Sequence, residues 1–197
     1  MKKLALFDFD GTITTTDTFV EFIRFNKGFL RFAVGFFLLS PFILAFKLKL
    51  YPNWKAKELV LTYFFKGTPI ATFQAKCHDF YTKKLPKLIR PKALEEIAKH
   101  QAAGYEICLV SASPELWIRD WAKEQNVKLI GTKLEVIDNK ITGKITGKNC
   151  YGFEKECRVK AAYDLSTYDV IEAYGDSSGD HELLALAHKA HFKPFRN

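Results

Sequence analysis

The run Leu4-Ala5-Leu6-Phe7, followed at once by Asp8-Phe9-Asp10-Gly11-Thr12, constrains this chain more than any other stretch. The apolar run reads as a short buried strand. The acids stand where that strand stops, and two carboxylates two residues apart in extended chain can point to one side. Gly11 lets the backbone turn away, and Thr12 adds a hydroxyl. Such a pair suits chemistry on a phosphate. Together the acids can hold a hard divalent cation through oxygen, typically Mg²⁺. One acid can attack phosphorus while the other handles the leaving-group proton. A strand-ending turn with two solvated acids is the plainer reading of these five residues, and the remainder of the chain decides between the two.

A chain of 197 residues, 48% hydrophobic, suits one sizeable core or a core with an insertion. Cys77, Cys108, Cys150 and Cys157 form no C-x-x-C pair and, with five scattered histidines, no zinc spacing. Reduced thiols and a cytoplasmic location are expected. Lys2-Lys3 before apolar residues looks like the start of a signal peptide, but Asp8 and Asp10 interrupt it too early, so no cleaved segment is expected. Charge is concentrated. Arg24, Lys27, Arg31, Lys47, Lys49, Lys55 and Lys57 lie in a segment, from Phe22 to Lys57, without a single acid. Outside it, 23 basic residues face 22 acidic ones. A general nucleic-acid footprint is therefore not expected.

Phe22, Phe25, Phe29, Phe32 and Phe36 recur at helical spacing, with Arg24, Lys27 and Arg31 opposite. Ser40-Pro41 should kink or end this helix. Further helices are expected over about 53–66 and 69–84. Beyond Pro86 and Pro91 the pattern alternates. A helix over 92–103 precedes a buried strand over 106–110. Ser113-Pro114 reads as a helix start, with Ser as the cap, for a helix reaching about 125. A short strand over 128–130, a hairpin over 133–145 turning at Asp138-Asn139, a helix over 154–163, a strand over 170–174 and a helix over 180–189 follow. This order predicts an α/β fold, a parallel sheet covered on both faces. Residues 1–16 and 88–197 are expected to form the core, with 17–87 as an inserted helical cap.

Functional groups in such sheets collect beyond the carboxyl ends of the strands. That rule selects Asp8 and Asp10 after the first strand, Ser111 and Ala112 after the second, and Asp176 and Asp180 after the strand at 170–174. Lys155 opens a helix in Gly152-Phe153-Glu154-Lys155. Singly, Ser111 reads as a turn residue, Lys155 as a solvated lysine, and the late acids as loop and cap residues; jointly, they supply what phosphoryl transfer needs.

In this order D-x-D-G-T, Ser after a buried strand, Lys, and G-D-x-x-x-D resemble the haloacid dehalogenase superfamily of phosphatases, over almost the whole chain. Its fold is a Rossmann-like parallel sheet. An insertion directly after the first motif is similar to the branch with a helical cap there, which includes phosphoserine phosphatases. The resemblance implies roles: Asp8 as nucleophile forming an aspartyl-phosphate, and Asp10 as general acid and then base. Thr12, Ser111, Ala112 and Lys155 would bind the phosphoryl group. Mg²⁺ would be held by Asp8, the Asp10 carbonyl and Asp176, with Asp180 supporting its waters or Lys155. Lys160 is a rival for the lysine role; Gly-x-Glu-Lys favours Lys155. Asp10 itself separates chemistries, since a dehalogenase needs no acid two residues beyond its nucleophile.

Phe32 to Phe46 holds fifteen residues without charge. As a helix it spans roughly 22 Å, short of the ~30 Å bilayer core, and one crossing would separate Asp8 from its partners. The segment is expected to lie on a membrane, dip in and return at Ser40-Pro41, or pack inside the cap. Its basic residues favour an anionic surface. The cap region, with Cys150-x-Gly152-x-Glu154-Lys155, also resembles phosphatidylglycerophosphatase C, a lipid-phosphate phosphatase family. The expected activity is a Mg²⁺-dependent phosphomonoesterase on a lipid phosphate at the inner face of the membrane. The alternative is a soluble phosphatase for phosphoserine or another small metabolite.

Overall fold

The structure is a computed structural model and describes residues 1–196. In chain order the elements are β1 (Lys3–Phe7), α1 (Thr18–Lys47), α2 (Asn53–Phe65), α3 (Ile70–Lys83), α4 (Pro91–Ala102), β2 (Tyr105–Pro114), α5 (Glu115–Glu124), β3 (Lys128–Ile137), β4 (Lys140–Thr146), α6 (Phe153–Ala162), β5 (Val170–Gly175), α7 (His181–Ala185) and β6 (Lys189–Phe192). Six strands form one sheet in the order β4-β3-β2-β1-β5-β6. All pairings are parallel except β3–β4. This is the expected α/β fold with helices on both faces.

β1 is central. Its side chains alternate: Ala5 and Phe7 join one buried cluster, Leu4 and Leu6 the other. A strand covered on both sides must be apolar throughout, which explains the opening run. Phe7 lies level with Leu109 of β2 and Tyr174 of β5. β1 stops at that line and β5 one residue past it, while β2 runs on to Pro114, so Asp8 begins beyond the last β1 pair and Ser111 lies in the extended end of β2.

The chain leaves the sheet after Asp8 and rejoins at a bridge between Thr14 and Ile89, with Arg90 N–H on the Ile13 carbonyl at 2.8 Å. Helices α1, α2 and α3 lie between. Phe22 roots them. Its ring is fully buried, stacks on Trp117 of α5 at 4.4 Å, and touches Phe65, Phe73 and Phe80. Truncating such an aromatic typically costs about 3–5 kcal/mol.

Four sequence expectations need correction. Ser40-Pro41 neither kinks nor ends α1. Proline removes the N–H that would reach the Phe37 carbonyl, but Ser40 Oγ donates to that carbonyl at 2.7 Å and replaces the bond. The break falls instead at Gly28, whose φ of 72° takes it out of helical geometry. Ser113 does not cap α5; Pro114 stands at that position and Ser113 lies within the extended end of β2. The short strand at 128–130 is the start of one long strand reaching Ile137, whose hairpin does turn at Asp138-Asn139, both with positive φ. The helix expected over 180–189 stops at Ala185, and Lys189–Phe192 is an edge strand. Paired on one side only and largely exposed, it needs no apolar run and left no pattern to read.

Candidate active site

Asp8 sits at the centre. Its N–H donates to the Tyr174 carbonyl at 2.9 Å, prolonging the β1–β5 ladder by one bond. Its side chain is buried, with one oxygen accepting from Lys155 Nζ at 2.5 Å and the other from Thr12 Oγ1 at 3.0 Å. Lys155, brought in by the first turn of α6, also donates to Asp180 Oδ1 at 2.6 Å. Lys155 is 1% exposed, and its ammonium serves two acids. Lys160 is exposed and paired with Glu156 at 2.6 Å, away from this cluster.

Asp10 is held by the start of α1. Thr18 donates to Asp10 Oδ1 through its N–H at 2.7 Å and its hydroxyl at 2.5 Å. Ser111 Oγ reaches Asp10 Oδ2 at 3.3 Å and accepts from the Ser113 N–H at 3.0 Å. The hydroxyls of Thr12 and Ser111 thus rest on the two early acids, whereas Ala112 and Ser113 line the open cavity. The Ala112 carbonyl accepts from Lys57 Nζ at 2.8 Å and Thr132 Oγ1 at 2.7 Å. Asn149 ties the same corner together, accepting from Lys57 at 3.0 Å and donating to Asn53 at 3.2 Å.

Asp176 follows β5 and is half-buried, its carboxylate meeting the Arg196 guanidinium. Gly11 makes room for it: a Cβ on Gly11 would overlap the Asp176 carboxyl, and φ there is +80°. Asp180 spends both oxygens locally. Oδ2 accepts from the N–H groups of Asp176 and Ser177 and from Ser177 Oγ at 2.8 Å.

The cluster carries surplus negative charge. Burial pushes the Asp8 carboxyl up to about 7; Lys155 pulls it down, and Asp180 and Asp10 add to the rise. Burial alone would lower Lys155, but Asp8 and Asp180 hold it above its ordinary value, so it stays charged. Asp176 is raised by burial and by Asp180. For Asp180 the order reverses: burial would raise it, yet Lys155 and the Ser177 donors hold it below the usual range. Carboxylate oxygens of Asp8, Asp176 and Asp180 lie within 4.8 Å of one another. Hard oxygen donors at that spacing, with too little positive charge beside them, fit a divalent cation. All three carboxylates already accept from protein donors, Asp8 from Lys155 and Thr12, Asp176 from Arg196, and Asp180 from Lys155 and Ser177.

Above this floor opens a cavity of about 560 Å³. Asp17, Asn53 and Lys57 line part of its wall, and Phe36, Ile43, Phe46 and Val60 line another part. Thr18, Lys57 and Arg196 escaped the sequence reading. Thr18 was legible as a helix-start residue and Lys57 as part of the basic segment; Arg196 carried no signal.

A sheet of this order, with acids gathered beyond the ends of its central strands, defines a class that comparison with known proteins makes specific. The haloacid dehalogenase-like hydrolase family matches residues 5–185, and the chain belongs to that family. Protein CicA of Caulobacter vibrioides is 33% identical over 195 residues, covering 98% of this chain and 86% of that protein. Among solved structures, a protein of unknown function from Bordetella pertussis Tohama I superposes with a TM-score of 0.85 at 22% identity, covering 96% of this chain and 89% of that one. A substrate-bound phosphoserine phosphatase does so with a TM-score of 0.71 at 17% identity, covering 98% and 86%. These structural likenesses show a shared fold.

Proposed function

We propose that the protein is a Mg²⁺-dependent phosphomonoester hydrolase acting through Asp8, with a lipid phosphate as substrate, of the phosphatidylglycerophosphate kind. The observation that carries the reading is Asp8 itself. It is a buried carboxylate fixed by Lys155 and Thr12, beside Asp10 and Asp176, at the floor of a cavity with an apolar wall.

An Asp8 oxygen attacks phosphorus, and the bond from phosphorus to the leaving oxygen breaks. Asp10, held by Thr18 and Ser111, gives that oxygen its proton. Asp10 then takes a proton from water, whose oxygen attacks phosphorus; the bond from phosphorus to Asp8 breaks, and phosphate leaves. Lys155 holds Asp8 in position and balances charge accumulating on the phosphoryl oxygens, with the Ser111 hydroxyl and the Ala112 N–H as further donors. Asp8, the Asp10 carbonyl and Asp176 would hold Mg²⁺, which would supply neutralisation of the phosphoryl charge. Asp180 keeps Lys155 in place.

The apolar wall formed by Phe36, Ile43 and Phe46 supports a substrate with an aliphatic stem, and the basic segment supports an anionic membrane surface as partner. A soluble phosphatase for phosphoserine or another small metabolite is the second reading, favoured by the polar trio Asp17, Asn53 and Lys57 in the same cavity. A phosphate-release panel tests both, with phosphatidylglycerophosphate, phosphatidate, phosphoserine and nucleotides, each with and without Mg²⁺. Lipid phosphomonoesters should be the fastest, and Asp8→Asn and Asp10→Asn should each lose turnover. Faster release from phosphoserine refutes the lipid reading; no release from any ester refutes the hydrolase mechanism.

A further inference from the structure

The second half of α1 is apolar on two sides. Its inner row, Phe32, Gly35, Phe36, Leu39, Ile43 and Phe46, follows helical spacing and turns toward α2 and the cavity. Gly35 fixes that rotation, because any Cβ there would overlap the rings of Phe64 and Tyr63 on α2. The outer row is left without cover. Leu30 is 75% exposed and Phe37 77%, with Val34, Leu38, Leu44 and Leu48 also exposed along the same length. An apolar window of 18 residues within α1 is only 11% buried. Helices apolar all round are ordinarily enclosed by protein or lipid, and a continuous exposed strip of this size marks an interaction surface.

We infer that this outer face is a membrane-docking surface that lies in the interface of an anionic phospholipid bilayer. The inference rests on the hydrolase reading only in giving the docked site a purpose. Charge selects the occupant. Arg31 stands at one end of the strip and Lys47, Lys49 and Lys55 at the other, all exposed, with no acid between Phe22 and Lys57. Each such cation near an anionic leaflet contributes about 1 kcal/mol. Tertiary placement selects the mode. Asp17 at the start of α1 and Asn53 after its end line the same cavity, so α1 begins and ends on one side of the membrane. Residues 29–47 therefore lie flat, covering roughly 28 Å at ~1.5 Å per residue. The docked face and the apolar cavity wall are opposite sides of one helix. A lipid phosphate then enters beside the helix that grips its bilayer, its stem passing along Phe36, Ile43 and Phe46.

Trp54 reports on the docking. It is 46% exposed just beyond the strip, while the other two tryptophans, Trp117 and Trp121, are buried. The full chain is mixed with vesicles of phosphatidylcholine alone or with phosphatidylglycerol, at low and high salt. Flotation and quenching of Trp54 by brominated acyl chains are both read. The protein should float with phosphatidylglycerol vesicles, bind at least tenfold more weakly to phosphatidylcholine alone, and show Trp54 quenching. Two variants test the two parts separately. L30Q/F37Q/L38Q/L44Q should lose binding at least tenfold while hydrolysing a soluble aryl phosphate at the original rate and keeping its circular dichroism. K47E/K49E/K55E should lose the preference for the anionic lipid. Wild-type protein that stays unbound, quadruple-variant protein that binds equally well, or a vesicle-free dimer abolished by the quadruple variant overturns the inference. None of these readouts uses lipid hydrolysis. Binding without turnover of any lipid phosphate would refute the proposed substrate and leave the docking surface standing.

Discussion

Replacing Lys155 with methionine keeps the length of the side chain and removes the one ammonium between Asp8 and Asp180. Both acids are buried, and Lys155 holds them at 2.5 and 2.6 Å. Stranding a buried charge by deleting its partner costs about 3–5 kcal/mol. The loss has a ceiling, because an unpaired carboxylate can take a proton instead. For Asp180, whose ordinary value is 3.8, that escape costs ~1.36 kcal/mol per pH unit above 3.8, or about 2.3 kcal/mol at pH 5.5 and about 5.7 kcal/mol at pH 8. Asp8, pushed up to about 7, already carries its proton at pH 5.5 and loses little there. The destabilisation should therefore grow from about 2 kcal/mol at pH 5.5 to about 3–5 kcal/mol at pH 8. Urea unfolding of cation-free protein at both pH values, followed by circular dichroism, measures it. A loss below about 1 kcal/mol, or one equal at the two pH values, would show that Lys155 is not the counter-ion of this cluster.

Asp8→Asn should stabilise the cation-free protein at pH 8 and leave it unchanged at pH 3.5. A carboxyl raised in the folded state binds its proton more tightly there, so its stabilising contribution is complete below 3.8 and lost as pH climbs toward 7; a fluorimetric melting series reads this. For the same reason Mg²⁺ must displace a proton below pH 7, so its affinity by calorimetry should weaken toward tenfold per pH unit between 7 and 5.5. Arg196 occupies Asp176, a carboxylate placed to receive a cation. Arg196→Gln should tighten Mg²⁺ binding severalfold in the same calorimetric assay, and unchanged affinity would mean the pair does not compete. Gly35→Leu forces its side chain into Phe64 and Tyr63 and should cost about 1–3 kcal/mol by urea unfolding; a neutral effect would mean that α1 is not clamped on α2.

The sequence by itself determined that the chain builds an α/β fold with a parallel sheet, and where along it the acids fall. Leu4 to Phe7 could only be a strand buried on both faces, and Asp8, Asp10, Asp176 and Lys155 stand where strand ends and a helix start put them. These are local signals, carried by apolar runs, turn residues and short spacings, and a buried central strand leaves little choice. Tertiary structure decided what depends on distant partners. Ser40-Pro41 was legible as a break, but a single hydroxyl on the Phe37 carbonyl heals it. Lys189–Phe192 becomes a strand only because β5 offers it an edge. Lys57 reaches the Ala112 carbonyl from 55 residues away, and Arg196 reaches Asp176 from beyond β6, proximities that no local pattern encodes. Above all, the rotation of α1 is set by the fit of Gly35 against α2. Phe36 and Phe37 are chemically alike and adjacent in the chain, yet one lines the cavity and the other faces outward, because a helix turns about 100° between them.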